Sequence, residues 1–112
     1  TALVAERVDG EILGFAVASA WQAYEGYART VEDSIYLSPA ARGCGLGGRL
    51  LATLVEAAQR AGDRTMVAQI EASTTTSVRL HERAGFVVVG TIEAAGEKHG
   101  RVLDLVLMSR RL

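Results

Sequence analysis

Cysteine is nearly absent from this chain of 112 residues, where Cys44 stands alone. That excludes an internal disulfide framework and a metal cluster built on cysteines, and no metal site is expected. Excess positive charge is absent too. With 12 Lys and Arg against 13 Asp and Glu the net charge is −1, so nothing is available to displace the counterions of a nucleic acid, and no nucleic-acid partner is expected. No apolar run approaches the roughly 20 residues that cross a bilayer, and no signal-peptide pattern opens the chain. Neither a membrane partner nor secretion is expected, and the cytoplasm is the default compartment. Repeats, low-complexity tracts and interdomain linkers are missing. An initiator Met is lacking, Thr1 standing in the middle of an apolar segment, which leads us to expect further residues before it.

What is present suits a soluble globular protein: 49% hydrophobic and 22% charged residues, in a length that supports one domain, residues 1–112, with a single core. Ala2 to Val8 followed by Asp9-Gly10 predicts a strand and hairpin turn, with Ile12 to Ala18 as its partner. Trp21 to Arg29 breaks the periodicity and predicts a loop. Thr30 to Leu37 predicts a strand with Val31, Asp33, Ile35 and Leu37 on one face and Glu32, Ser34 and Tyr36 on the other. A helix of about four turns follows, its apolar stripe being Leu46, Leu50, Leu51, Leu54, Val55, Ala58 and Ala61, with Gly62 ending it. Arg64 to Ile70 predicts a buried strand. A helix beginning among Ser73 to Ser77, without a capping box, runs through Leu80 and Ala84 and stops at Gly85. Phe86 to Gly90 and Val102 to Met108 predict strands joined by a polar, glycine-bearing connection. The order β-β-β-α-β-α-β-β predicts an α/β (α+β) fold, a mixed sheet with helices packed on it.

The chain is organised around Ser38-Pro39-Ala40-Ala41-Arg42-Gly43-Cys44-Gly45-Leu46-Gly47-Gly48, a glycine-dense loop between a strand and a helix. Glycines let a ligand approach the main chain, and the first-turn N–H groups with the helix dipole form an anion site. Arg42 adds a cation with a planar set of donors. Such a site suits a phosphate or pyrophosphate. Gly43-x-Gly45-x-x-Gly48 matches the dinucleotide-binding spacing, with Glu71 roughly where a ribose-binding acid belongs. In that fold, however, the glycines follow the strand almost directly, and here five residues intervene. No Lys-Ser or Lys-Thr follows the glycines, so there is no Walker-A loop.

Arg42-Gly43-Cys44-Gly45-Leu46-Gly47 resembles the Arg/Gln-x-x-Gly-x-Gly/Ala pyrophosphate loop of the GCN5-related N-acetyltransferases. Ser77-Val78-Arg79-Leu80-His81-Glu82-Arg83-Ala84-Gly85-Phe86 resembles the late helix and terminal Gly-Phe of the same family. Within it, Tyr27 to Tyr36, the Leu80-His81-Glu82 triplet and Gly96-x-Lys98-x-Gly100-x-x-x-Asp104 resemble the phosphinothricin/methionine sulfoximine acetyltransferases. The resemblance covers nearly the whole chain. It implies a mostly antiparallel mixed sheet and lacks only the N-terminal strand and helix pair that would precede Ala2.

The resemblance implies acetyl transfer from acetyl-CoA to the amine of a small amino-acid-like acceptor such as phosphinothricin, methionine sulfoximine or methionine sulfone. Direct attack is expected, since no activated nucleophile for an acyl-enzyme is apparent. The alternative is a CoA-binding or oligomerising module without catalysis. The implied cofactor residues are the backbone of Tyr36 and Leu37 beside the pantetheine arm, then Arg42, Gly43, Cys44, Gly45, Leu46, Gly47 and Gly48 around the pyrophosphate, with Thr74 and Ser77. Glu32 is the implied general base, with a solvated strand-face charge as the other reading. His81 stands where many relatives carry a Tyr thought to protonate the CoA thiolate. An imidazole could act as that acid or share the base role, or it could be structural. Tyr27, Arg29, Thr30 and Lys98 are candidates for the acceptor pocket, although Arg29 and Lys98 are equally readable as solvated surface. Thr74 replaces the usual Asn and keeps one hydrogen bond without the amide's donor–acceptor pair, unless it serves as an N-cap. Glu97 and Val102 stand where the branch commonly has Phe and Trp. Cys44 reads as a loop filler. A homodimer is implied by resemblance only.

Overall fold

The computed structural model describes residues 10–112 and, for the first strand, the backbone of Ala2–Glu6. The expected strand residues Arg7 and Val8 and the turn residue Asp9 lie outside the described residues. Six strands form one sheet: β1 (Ala2–Glu6), β2 (Ile12–Ala20), β3 (Thr30–Leu37), β4 (Thr65–Glu71), β5 (Val87–Lys98) and β6 (Arg101–Arg111). Their spatial order is β1-β2-β3-β4-β6-β5. Every neighbouring pair is antiparallel except β3 and β4, which run parallel. That parallel pair is joined by the first helix, α1 (Leu46–Arg60), as a parallel connection requires. The second helix, α2 (Thr75–Arg83), links β4 to β5.

The alternation of β3 holds as its sequence predicts. Val31, Ile35 and Leu37 pack on the core, and Ser34 and Tyr36 on the other face are exposed. Helix α1 packs on β2 and β3, and buries Leu50, Leu51, Leu54, Val55 and Ala58 against Ala16, Met66, Ala68, Ile70 and Met108. Leu51, Leu54, Met66 and Met108 are fully buried, each contributing roughly 1.5–3 kcal/mol through removal of apolar surface from water. Leu46 is only half-buried and Ala61 is exposed, being the residue at which the helix ends. Both helices finish in the same hydrogen-bonded lock. In α1 the N–H groups of Gly62 and Asp63 donate to the carbonyls of Gln59 and Ala58, at 3.1 and 3.0 Å. In α2 those of Gly85 and Phe86 donate to Glu82 and His81, both at 3.0 Å.

The region expected to be a polar connection after Gly90 is strand instead. β5 continues to Lys98, and its turn is only His99 and Gly100, with φ of 51° and 76°. A turn with two left-handed residues matches the twist of the flanking strands, but His-Gly lacks the Asn-Gly signature that announces one. The long strand is made possible by a bulge between Ile92 and Gly96, where the Asp104 carboxylate accepts a hydrogen bond from the Ala94 N–H at 2.8 Å. Glu97 and Val102 face each other directly across this hairpin. Among the described residues no helix is long and apolar enough to cross a membrane.

Candidate active site

The site exists because β3 and β4 part company. Their ladder has three rungs, Thr30 with Thr65, Val31 with Met66 and Glu32 with Val67, and then ends. Beyond it, the β4-facing edge of residues 33–37 has no strand partner among the described residues, while β2 continues to pair the other edge as far as Leu37. A sheet that splays in this way leaves main-chain groups free for a ligand.

Two cavities occupy the splay. One, of about 300 Å³, is lined from β3 by Glu32 to Ile35, from β4 by Ala68 to Glu71, and from α2 by Thr74, Ser77 and His81. The other, of about 550 Å³, lies around the glycine loop. Its walls include Leu37, Arg42, Gly43, Gly45, Gly47 and Gly48 on one side and Thr76, Leu80 and Arg83 on the other. Ile35, Thr74 and Ser77 line both. The two spaces therefore adjoin, one lined by the glycine loop and the other by the carboxylates Glu32, Asp33 and Glu71.

At the glycine loop, Gly45 is the N-cap of α1 with φ 79°, and Gly43 has φ 82°. An L-residue in either place would be strained by roughly 1–2 kcal/mol. No side chain caps the helix, so first-turn N–H groups remain available to an anion. Gly47 is needed for another reason: a Cβ there would lie 3.1 Å from Leu37 Cδ1 and 3.5 Å from Leu80 Cδ2. Its bare backbone lets α1, β3 and α2 converge behind the loop. Arg42 lines the cavity from the loop, and Arg83 lines it from α2. Arg83 was not among the residues expected from the sequence, although its spacing from Leu80 and Thr76 puts all three on one helix face. The Cys44 thiol donates to the Ala41 carbonyl at 2.7 Å. Thr74 occupies the N-cap position of α2, but its side chain makes no cap hydrogen bond and the residue lines both cavities.

In the other cavity, Gln69 Nε2 donates to Glu32 Oε1 at 3.0 Å. Glu32 is half-buried on the sheet face that carries no helix among the described residues, the face where Phe15 and Tyr36 stack with centroids 5.4 Å apart. Glu71, further along β4, accepts hydrogen bonds from the hydroxyl and the N–H of Ser73. The hydroxyl bond, then the N–H bond, hold its carboxyl below the ordinary carboxylate range. On the helix side of the sheet, Asp33 and His81 are buried together. His81 Nε2 lies 2.9 and 3.1 Å from the two Asp33 oxygens, and Nδ1 lies 2.8 Å from the Ser77 carbonyl.

The candidate acceptor residues are not gathered here. Tyr27, Arg29, Thr30 and Lys98 line neither cavity. Tyr27 packs edge-on against Trp21 at 5.6 Å. Arg29 donates from Nη1 to the Ala61 carbonyl at 3.2 Å, at the negative end of α1, and its own carbonyl accepts from Arg64 N at 2.8 Å. Thr30 pairs with Thr65 at the closed end of the ladder, and Lys98 with Arg101 at the hairpin tip. Among the described residues no group of three or more His, Cys, Asp or Glu is arranged to hold a metal ion.

A splayed mixed sheet, with a glycine loop feeding a helix at the splay, defines a class, and the sequence comparison agrees with it. Residues 1–86 match the acetyltransferase (GNAT) family. The chain belongs to that family. It is 44% identical over 110 residues to the L-methionine sulfoximine/L-methionine sulfone acetyltransferase of Pseudomonas aeruginosa, covering 98% of this chain and 64% of the relative. It is 41% identical over 111 residues to the phosphinothricin N-acetyltransferase of Alcaligenes faecalis, covering 98% of this chain and 56% of the relative. The crystal structure of a phosphinothricin acetyltransferase from Sinorhizobium meliloti in complex with AcCoA superposes with a TM-score of 0.95 at 44% identity, over 99% of this chain and 60% of that one. The chain therefore spans somewhat less than two thirds of the length of these relatives.

Proposed function

We propose that this chain carries the acetyl-CoA site and the general base of an N-acetyltransferase. Its acceptor is the amine of a small amino-acid-like molecule of the methionine sulfoximine, methionine sulfone or phosphinothricin type. The observation that carries this reading is the shared wall of Ile35, Thr74 and Ser77, which joins an anion cradle to a carboxylate-bearing cleft. A ligand with phosphates at one end and a reactive group at the other fits such a channel. The names and similarity of the relatives support the same chemistry.

In this reading the first-turn N–H groups of α1, with Arg42 and Arg83, hold the pyrophosphate. Gly43, Cys44, Gly45, Leu46, Gly47 and Gly48 keep the loop close enough for main-chain contact. The unpaired edge of β3 at Tyr36 and Leu37 lies along the pantetheine arm, with Thr74 and Ser77 on the other side. When bound, acetyl-CoA supplies an acetyl group activated as a thioester. Glu32, its carboxylate aimed by Gln69, takes the proton from the acceptor ammonium, directly or through water, and leaves the amine free to attack. Thr74 offers one hydroxyl where an Asn would offer a donor and an acceptor, which lowers affinity for CoA. A homodimer using the exposed β5–β6 hairpin is part of the proposal, supported by the exposed Val89, Ile92 and Val102.

The test is thiol release from acetyl-CoA with L-methionine sulfone, L-methionine sulfoximine and phosphinothricin, alongside calorimetric titration with CoA. Turnover with at least one of the three amines is expected. Saturable CoA binding without turnover on any of them would favour a non-catalytic CoA module instead.

A further inference from the structure

Asp33 and His81 are the buried polar or charged residues of the core among the described residues, 7% and 3% exposed. Asp33 follows Glu32, the last residue of β3 that pairs with β4, and so sits where the sheet opens. By alternation it points to the helix side, whereas Glu32 points to the other. His81 reaches it from α2, with Phe86 packed edge-on against the ring at 4.9 Å.

The hydrogen-bond inventory of the ring decides its form. Nδ1 faces a backbone carbonyl, which can only accept, and Nε2 faces both oxygens of a carboxylate. A neutral imidazole has one N–H, so beside an ionised Asp33 either tautomer would aim a nitrogen lone pair at an oxygen lone pair in a buried place. The imidazolium satisfies both. The other charged side chains lining this cavity among the described residues, Glu32 from β3 and Glu71 from β4, are carboxylates as well, and none of the described Lys or Arg residues lines it.

We propose that Asp33 is a positioning residue that fixes His81 as a doubly donating imidazolium, so that the two stand in the cavity wall as a fixed ion pair and His81 keeps its proton instead of shuttling it. Burial of the ring opposes its charge, but the Asp33 hydrogen bond and charge, with the Ser77 carbonyl, outweigh it and raise the His81 pKa. An ion pair fixed in advance costs no reorganisation when charge develops near it. Where its dipole is used rests on the acetyl-transfer reading. The protonation state of His81 does not.

Two readouts separate the proposal from a merely structural role. The first is the histidine ring ¹⁵N spectrum of the labelled full chain, with His81→Gln to assign the signals against His99. At about pH 7, where an ordinary imidazole is mostly neutral, His81 is expected to show the pattern of two protonated nitrogens. Asp33→Asn should convert it to the singly protonated pattern. The second is the pH profile of kcat/KM. Asp33→Asn is expected to lower it about tenfold at neutral pH, with partial recovery on acidification as His81 takes up its proton. A singly protonated His81 in the wild-type chain at about pH 7 would overturn the proposal, and that spectrum is decisive even if Asp33→Asn does not fold. An unchanged ring spectrum or an unchanged pH profile in a folded Asp33→Asn would overturn it too. Absence of turnover on every amine bears on the acetyl-transfer reading and leaves the spectrum as the judge of this one.

Discussion

The Gln69 side-chain amide donates to Oε1 of Glu32 at 3.0 Å, from β4 to β3, at the point where those strands separate. Glu32 is thus held by a neighbour on the strand that diverges from its own, and it lines the cleft there. On the proposed reading, replacing Glu32 by Gln keeps the shape and removes the general base. A fall in kcat/KM of about 10²–10⁴ is expected, the usual contribution of a general base. Gln69→Ala leaves the carboxylate in place but lets it turn. A smaller loss, about 3–10-fold and mainly in kcat, is expected. Steady-state kinetics with a saturating amine checks both, and equal losses from the two would mean Gln69 does more than orient Glu32.

Arg42 and Arg83 both line the glycine-loop cavity, from separate elements. Each is expected to make a charge-assisted hydrogen bond to a phosphate. Alanine at either should weaken CoA about tenfold, ~1.4 kcal/mol, with little change in kcat. The loss should shrink as salt is raised, because exposed charges are screened within about 10 Å at 0.1 M. Gly45→Ala acts differently, since strain at φ 79° lowers stability by about 1–2 kcal/mol as well as affinity. Calorimetric titration with CoA at two salt concentrations, paired with urea unfolding, distinguishes these effects.

The exposed β5–β6 hairpin yields a prediction about assembly. Val89 and Val102 are 65% and 66% exposed, on the edge strand and its partner, and an apolar unpaired edge invites association. The wild-type chain is expected to behave as a dimer in light scattering at micromolar concentration, and Val89→Asp with Val102→Asp as a monomer. A monomeric wild type would remove this interface from the proposal.

Much of the fold was legible because it rests on local chemistry. The leucine stripe of α1, the alternation of β3 and the loop from Arg42 to Gly48 each carry their signal within a few residues. β5 beyond Gly90 was not, because Thr91 to Lys98 is exposed throughout and has no buried face to impose a period of two. The bulge at Ala94 depends on Asp104, on the neighbouring strand. The acceptor residues were the least legible. Arg29 reads as a surface cation or a carboxylate ligand until α1 is seen to end beside it, where its guanidinium meets the Ala61 carbonyl. Asp33 and His81 are separated by all of α1 and all of β4. Only the splay of the sheet brings them together, and no spacing rule announces a pair of that kind.

That pair also predicts how stability depends on pH. Because His81 has a raised pKa in the folded chain, the folded state binds its proton more tightly than the unfolded state does. The stabilisation is fully present below the unfolded value, near 6.5, and is lost as pH rises through the higher folded value. Wild-type unfolding free energy, measured by urea titration, should therefore decline across that alkaline window. Asp33→Asn should flatten the decline, because the source of the raised pKa is gone. At neutral pH the single variant is expected to lose about 3–5 kcal/mol, the usual result of breaking a buried pair by removing one partner. Asp33→Asn with His81→Gln should lose less than the sum of the two single variants, since the cycle removes both charges together. Additive losses would mean that the two side chains stabilise the fold separately, without coupling through the 2.9 Å contact between them.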